Sequence, residues 1–181
     1  NAYTGEKMTA VLAKSLLYAH FNRKAEELAL EDYKPGDKLV PFKVVAEYKG
    51  PELVGMEYEQ LIPWVKPVSV DEKGKWSDAS QKAFRIIPGD YVTTEDGTGI
   101  VHIAPTFGAD DAFVAKAAGI PSLFMINKSG ETRPMVDLTG KFYMMDELDE
   151  EFVKQCVDVE LYKEYEGKWV KNAYDPQFTV N

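Results

Sequence analysis

One short segment of the chain carries the residues most able to do chemistry. His102 lies near the end of the apolar run 99–103, and Asp110 and Asp111 follow where a helical pattern begins. An imidazole can move a proton near neutral pH, and a carboxylate can hold an ammonium group through a charge-assisted hydrogen bond. Loop residues between a strand end and a helix start often line sites, because the scaffold fixes them while leaving them exposed.

Each of these residues also has a purely structural interpretation. From the pattern alone, His102 is more simply a hydrogen-bonded histidine at the end of a strand. Acids in a first helical turn complement the helix dipole and cap free N–H groups, and Asp110 is the better candidate for that role. A second carboxylate beside it needs a reason, because adjacent like charges repel, and holding a ligand's ammonium group is one such reason.

Other common catalytic and metal-binding patterns are missing from the sequence. It contains no Gly-x-Ser-x-Gly elbow, no Walker loop and no His-Glu-x-x-His. One cysteine excludes an internal disulfide and a paired-thiolate zinc site, and two histidines cannot form a three-histidine site. We therefore predict no metal. Cys156, in a helical run, is expected to be a small buried hydrophobe, and His20 a structural or surface histidine.

The elements that must position the candidate residues are short. We predict strands over 8–13, 39–48, 84–87, 91–94, 99–103 and 122–126, helices over 14–21, 109–118 and 146–157, a short helix or turn near 161–166, and turns over 71–75 and 127–130. The Asp96-Gly97 pair between two apolar runs predicts a β-hairpin. Many short strands with few helices indicate a mixed α/β domain around a bent or barrel-like sheet with peripheral short helices, and not a doubly wound fold.

Size and charge restrict the class of protein and its partners. A length of 181 residues with 45% hydrophobic residues is enough for one domain with a sizeable core. No apolar run approaches the roughly 18 residues needed to span a bilayer, so we expect no membrane partner. The start, 1–6, lacks a signal-peptide pattern and an initial methionine, which favours a processed or excised piece. With a single cysteine, we expect a reducing, cytoplasmic setting. The net charge of −9 opposes extensive phosphate contacts, so any nucleic-acid contact must be small or part of a larger assembly.

The segment 97–111, read as GTGIVHIAPTFGADD, resembles the signature of the editing domain of class I aminoacyl-tRNA synthetases for branched aliphatic amino acids. Its wording is similar to the isoleucyl form, since the valyl form typically has lysine, and the leucyl form methionine, at the position of His102. Further stretches resemble the same domain, so that the resemblance covers nearly the whole chain: 1–21, 52–61, 137–142 and 167–171.

The resemblance implies one editing domain over 1–181, a fragment of a larger synthetase. The family's threonine-rich segment, expected before residue 1, and the ATP-binding motifs are absent from the sequence. We therefore expect no cofactor for this domain, while the parent enzyme uses ATP. The expected partners are the 3′ end of tRNA(Ile) carrying valine and the rest of the synthetase in cis. The isolated domain is expected to be a monomer that binds tRNA weakly and in a salt-sensitive way.

The implied function is hydrolysis of valyl-tRNA(Ile), with valyl-adenylate as a further substrate. Asp111 would bind the α-ammonium of the valyl group, His102 would lie against its side chain or ester, and Ala104 and Phe107 would line the pocket. No nucleophilic serine or cysteine with a base partner is visible, so we expect direct attack by water. Positioning by His102 is favoured over general-base catalysis, although both stay open.

Two alternatives remain at this point. One is a valyl-type editing domain that removes threonine, against which the histidine at position 102 argues. The other is a fragment that binds the aminoacyl end without hydrolysing it, since the threonine-rich segment is absent from the sequence.

Overall fold

The computed structural model describes residues 1–170, which form parts of two compact units. The first unit comprises Asn1–Leu53 and Pro88–His102, and the second comprises Val54–Ile87 and the chain from Ile103 onward. The last position of the 167–171 resemblance, Lys171, lies outside the described residues.

The first unit consists of short helical turns joined by extended chain. A 3-10 turn over Lys14–Leu16 runs into helix α1 (Leu17–His20), which confirms the helix predicted over 14–21. Two more 3-10 turns (Arg23–Ala25 and Leu30–Asp32) and helix α2 (Gly50–Leu53) follow. Asn22 begins the first of these turns because its side chain accepts a hydrogen bond from the N–H of Lys24.

The strands predicted in the first unit, over 8–13, 39–48, 91–94 and 99–103, are wrong, since these segments form no strand. A short apolar run alone does not make a strand, because the backbone also needs a hydrogen-bonded neighbour. The predicted hairpin around Asp96-Gly97 is wrong as well. Gly97 has the positive φ, 62°, that a two-residue hairpin turn uses, but the flanking segments 91–94 and 99–103 form no ladder with each other.

The second unit contains two small antiparallel sheets. Strand β1 (Val68–Val70) pairs with β2 (Trp76–Asp78), and β3 (Met125–Ile126) pairs with β4 (Thr132–Arg133). The turns predicted over 71–75 and 127–130 connect them and are confirmed. Asp71 and Asn127 close these turns, each by accepting two backbone N–H groups on its side-chain oxygen.

Two strand predictions in the second unit also need correction. The strand predicted over 122–126 shrinks to β3 alone. The strand predicted over 84–87 is wrong, because Phe84 has a left-handed φ of 51° and only Arg85 forms a bridge, with Glu57. A left-handed phenylalanine is uncommon and interrupts an extended strand.

The helices of the second unit follow the sequence signals closely. Helix α3 (Ala109–Ala117) confirms the prediction and is followed by Gly119 at φ 69°. The helix predicted over 146–157 is instead a 3-10 turn, Met145–Glu147, and helix α4 (Glu150–Cys156). Asp149 separates them by accepting the N–H of Phe152 at 2.8 Å as the N-cap of α4. Helix α5 (Val159–Tyr162) is capped in the same way by Asp158, and a further 3-10 turn spans Ser80–Lys82.

A connected hydrophobic core lies entirely in the second unit. Its buried members come from the sheets, the connecting segments and the last two helices: Val65, Val68, Met125, Ile126, Met135, Leu148, Phe152, Cys156 and Tyr162. Aromatic rings extend it, with Trp64 stacked on Tyr165 at 3.7 Å and Trp76 edge-on to Phe152 at 5.7 Å between ring centroids. Cys156 is buried as predicted, and its burial raises the pKa of the thiol.

The mixed α/β class is therefore confirmed. Residues 1–170 form two two-stranded sheets and no closed barrel, so the barrel-like editing-domain fold stays a prediction. No helix in this part of the chain is long and apolar enough to cross a bilayer.

Candidate functional site

The segment between Ala104 and helix α3 is a tight turn held by its own backbone. The N–H groups of Phe107 and Gly108 both donate to the carbonyl of Ala104, at 3.0 and 3.1 Å. The carbonyl of Gly108 then accepts the N–H of Ala112 at 2.8 Å, which begins α3. This arrangement leaves the ring of Phe107 exposed at the outer side of the turn, with 68% of its surface accessible.

Asp111 fastens the start of the helix to the start of the turn. Its Oδ2 accepts the N–H of Ala104 at 2.9 Å, across seven residues of sequence. Asp111 is half-buried, which strengthens a hydrogen bond to an ionised carboxylate. Its Oδ1 has no hydrogen-bond or ion-pair partner within the described part of the chain. The carboxylate is thus fixed through one oxygen and available through the other.

Gly108 has a spatial reason to be glycine. Its φ of −102° and ψ of 127° suit any residue, so conformational freedom is not what the position requires. A Cβ at Gly108 would instead lie 2.8 Å from Oδ2 and 3.0 Å from Cγ of Asp111. The missing side chain therefore leaves the space that the Asp111 carboxylate occupies.

Thr106 attaches the turn to the segment that leads into β3. Its Oγ1 donates to the carbonyl of Leu123 at 3.0 Å, in a partly buried contact. Sequence reasoning missed both this contact and the role of Gly108. The partner of Thr106 lies 17 residues away, so no local spacing indicates it. The sequence does show Gly108 directly before the acidic start of α3, but a glycine there is equally typical of an ordinary helix N-cap.

The structure brings together three of the four predicted site residues. Ala104, Phe107 and Asp111 lie on one turn and helix start of the second unit, whereas His102 is the last residue of the first unit. The ring of His102 is exposed and hydrogen-bonds to no other residue among 1–170. The interpretation of His102 as a hydrogen-bonded histidine at the end of a strand is therefore wrong.

The two remaining polar candidates separate clearly. Asp110 lies in the first turn of α3, as predicted for an acid that complements the helix dipole. It is exposed and forms no hydrogen bond or ion pair with the other described residues, so the N–H capping predicted for it is wrong. The other histidine, His20, is confirmed as structural or surface, since its exposed Nε2 hydrogen-bonds the carbonyl of Gly97.

The turn lines neither of two concavities in the described part of the chain. Both belong to the first unit and measure about 210 Å³ each. One is bordered by Leu28, Tyr33 and Pro41, the other by Val11, His20 and Phe21. Within residues 1–170, no group of three or more histidine, cysteine, aspartate or glutamate side chains could hold a metal ion.

Comparison with known proteins gives a consistent result. No family model and no solved structure matches the chain. Among curated proteins, the chain is 79% identical over its whole length to an isoleucine–tRNA ligase of Bacteroides thetaiotaomicron. It is 72% identical over 99% of its length to that of Bacteroides fragilis, and 53% identical over 97% to that of Porphyromonas gingivalis.

The chain belongs to the isoleucine–tRNA ligase family. It spans only 14% to 16% of the length of these three relatives. Membership of the isoleucine–tRNA ligase family confirms the isoleucyl resemblance of the segment 97–111. Protein biosynthesis is therefore the process to which the chain is related.

Proposed function

We propose that the chain is the editing domain of an isoleucine–tRNA ligase and hydrolyses valine from mischarged tRNA(Ile), with valyl-adenylate as a further substrate. The observation that carries the proposal is the carboxylate of Asp111. It is held by the N–H of Ala104 and keeps one oxygen without a partner among the described residues. An oriented carboxylate of this kind suits the α-ammonium group that every aminoacyl ester presents.

The need for such a domain follows from the chemistry of discrimination. Valine differs from isoleucine by one methylene, and a hydrophobic pocket discriminates between the two by only about 1–3 kcal/mol of binding free energy. Isoleucine–tRNA ligase is itself the standard example of this general limit. A second pocket that accepts valine and excludes isoleucine multiplies the selectivity. We assign His102, Ala104 and Phe107 to the surface that meets the valyl side chain and ester.

The proposed reaction is direct hydrolysis. The oxygen of a water molecule attacks the carbonyl carbon of the ester, and the bond between this carbon and the ribose oxygen breaks. One proton of the water passes to the ribose oxygen, so that valine and tRNA with a free terminal hydroxyl leave. An aminoacyl ester is already activated, so fixing the substrate relative to water supplies much of the acceleration. Asp111 would hold the ammonium group, and His102 would position the ester rather than take the proton from water.

The proposal includes the surroundings of the domain. We infer that the chain is a segment of a longer, cytoplasmic synthetase, where it adopts the barrel-like editing-domain fold. ATP would be used by the parent enzyme and not by this domain. The net charge of −9 is consistent with contact to the single-stranded 3′ end of tRNA alone, with the remainder of the enzyme supplying most phosphate contacts.

The proposal is tested by single-turnover deacylation with the full-length ligase. We expect valyl-tRNA(Ile) to be hydrolysed at least tenfold faster than isoleucyl-tRNA(Ile), about what one extra methylene is worth in a pocket. Faster hydrolysis of threonyl-tRNA than of valyl-tRNA would instead indicate the valyl-type domain. Binding of a non-hydrolysable valyl-adenosine analogue, together with no hydrolysis of valyl-tRNA(Ile), would indicate a module that binds the aminoacyl end and does not catalyse.

The pH dependence of the same assay separates the two roles of His102. If His102 only positions the ester, the variant His102→Asn lowers the rate but keeps the shape of the pH profile. If His102 is the general base, the wild-type rate falls toward acidic pH, and the variant loses that limb.

A further inference from the structure

We propose that Gly108 is a positioning residue of the ammonium site, resting on the function proposed above. By lacking a side chain, it lets the carboxylate of Asp111 stay bonded to the N–H of Ala104, so that Oδ1 alone is presented to the substrate. The substrate's ammonium group would then be received by one oxygen of fixed direction.

The steric part of the argument involves the whole Asp111 side chain. A Cβ at Gly108 would contact Oδ2 at 2.8 Å, Cγ at 3.0 Å and Cβ at 3.2 Å. Since the contacts reach back to the Cβ of Asp111, a rotation of the carboxylate end alone does not relieve them. The side chain must move as a unit, or the helix start must shift.

The consequence for the carboxylate follows from its anchor. The bond from the N–H of Ala104 to Oδ2 is 2.9 Å long, close to the optimum for this type of bond. A displaced side chain loses this bond and with it the direction of Oδ1. Recognition of an ammonium group tolerates only about 0.5 Å of displacement before the site weakens.

A conformational explanation of Gly108 does not apply. Its backbone angles lie in the region open to every residue. Serine is in fact favoured over glycine as a helix N-cap. Gly108→Ser should therefore support helix α3 while introducing the same Cβ, which separates loss of positioning from loss of folding.

The experiment compares two substrates of the full-length ligase. One is valyl-tRNA(Ile), and the other is 3-methylbutanoyl-tRNA(Ile), which has the same hydrocarbon side chain but no ammonium group. The change in the ratio of their kcat/KM values between wild type and a variant measures recognition of the ammonium group, because the intrinsic reactivities of the two esters cancel in it. We expect Gly108→Ala and Gly108→Ser each to lower this ratio by roughly tenfold or more, with the change mainly in KM for the valyl ester and little effect on the 3-methylbutanoyl ester.

Asp111→Asn and Gly119→Ala are the reference variants. Asp111→Asn keeps the shape of the side chain and loses its charge, so it should lower the ratio, and adding Gly108→Ala should lower it no further. Gly119 ends the same helix at φ 69°, and a Cβ there has no neighbour within 4 Å. Gly119→Ala should destabilise the helix end through its backbone while leaving the ratio unchanged.

Three results would overturn the proposal. The first is an equal loss for both substrates in the Gly108 variants, and the second is an effect of Gly108→Ala that multiplies with that of Asp111→Asn. The third is an unchanged ratio in Gly108→Ser. A wild-type enzyme with no preference for the valyl ester, or an Asp111→Asn variant that keeps the preference, would contradict the ammonium role itself and so the proposed function.

Discussion

The two units of the chain differ in how much apolar surface each buries for itself. The second unit holds nine mutually packed buried residues. In the first unit only three hydrophobic residues are buried, Leu16, Ala25 and Phe42. Because burial supplies most of the free energy of folding, the second unit has the larger independent stability.

This difference bears on the candidate residues. Asp111, its anchor at Ala104 and the glycine beside it all belong to the well-packed unit, where the supporting structure can hold a carboxylate in place. His102 belongs to the sparsely packed unit and is exposed. The comparison therefore favours Asp111 as the rigidly held residue of the candidate site. His102 is held less rigidly, because fewer buried residues surround it in its own unit.

The largest effect expected from this comparison is on the free energy of unfolding. Phe152 is fully buried, and we expect Phe152→Ala to cost about 3–5 kcal/mol. Phe42 is 8% exposed and lies outside the connected core that holds Phe152, so Phe42→Ala should cost less. Urea denaturation followed by circular dichroism measures both variants.

Equal costs for the two variants would contradict the comparison. Tryptophan fluorescence provides a second readout, because Trp64, Trp76 and Trp169 all lie in the second unit. Hydrogen exchange complements it, and we expect amides of the first unit to exchange faster than those of α4.

The smallest effect concerns acid stability in the second unit. The hydroxyl of Ser80 donates to Asp78 at 2.6 Å, and this bond is the main reason that the pKa of Asp78 is lowered. A lowered carboxyl pKa stabilises the fold above the unfolded value, about 3.9, and the contribution is lost as the pH falls through the folded pKa. Since Asp78 is substantially exposed, we expect Ser80→Ala to cost only about 0.5 kcal/mol at neutral pH.

The difference between wild type and Ser80→Ala should shrink as the pH is lowered below the ordinary aspartate pKa. Ser77→Ala is the matched control. Ser77 lies next to Asp78 on strand β2, and its hydroxyl makes no hydrogen bond with the other described residues. A difference that stays constant from neutral to acidic pH would assign the effect of Ser80→Ala to something other than Asp78.

Sequence reasoning predicted helices well and strands poorly, for a physical reason. A helix is specified locally, so the acids and glycine around α3 were enough to place it at Ala109–Ala117. A strand requires a hydrogen-bonded partner that the sequence does not name. The segment 39–48 is rich in apolar residues, as a strand often is, yet Val45 is 82% exposed and the segment forms no ladder.

The candidate site shows the same division. The types and spacing of residues indicated Asp111 and the preceding turn as a candidate site, and its role in binding stays a prediction. They also assigned the capping role to Asp110, although it is Asp111 that accepts a backbone N–H, from Ala104 outside the helix. The space left by Gly108 depends on side-chain positions in three dimensions and has no signature in the sequence.

The most direct test of the central claim compares two neighbouring acids in the full-length ligase. Asp111→Asn and Asp110→Asn remove the same charge from the same helical turn, but only Asp111 is held by Ala104. We expect Asp111→Asn to slow deacylation of valyl-tRNA(Ile) by roughly 10- to 100-fold, because a hydrogen bond to a charged group contributes about 1.5–3 kcal/mol. The deacylation rate of Asp110→Asn should stay close to that of the wild type. Both variants should still charge tRNA with isoleucine. Equal deacylation rates in the two variants would make Asp111 a structural acid and contradict the account.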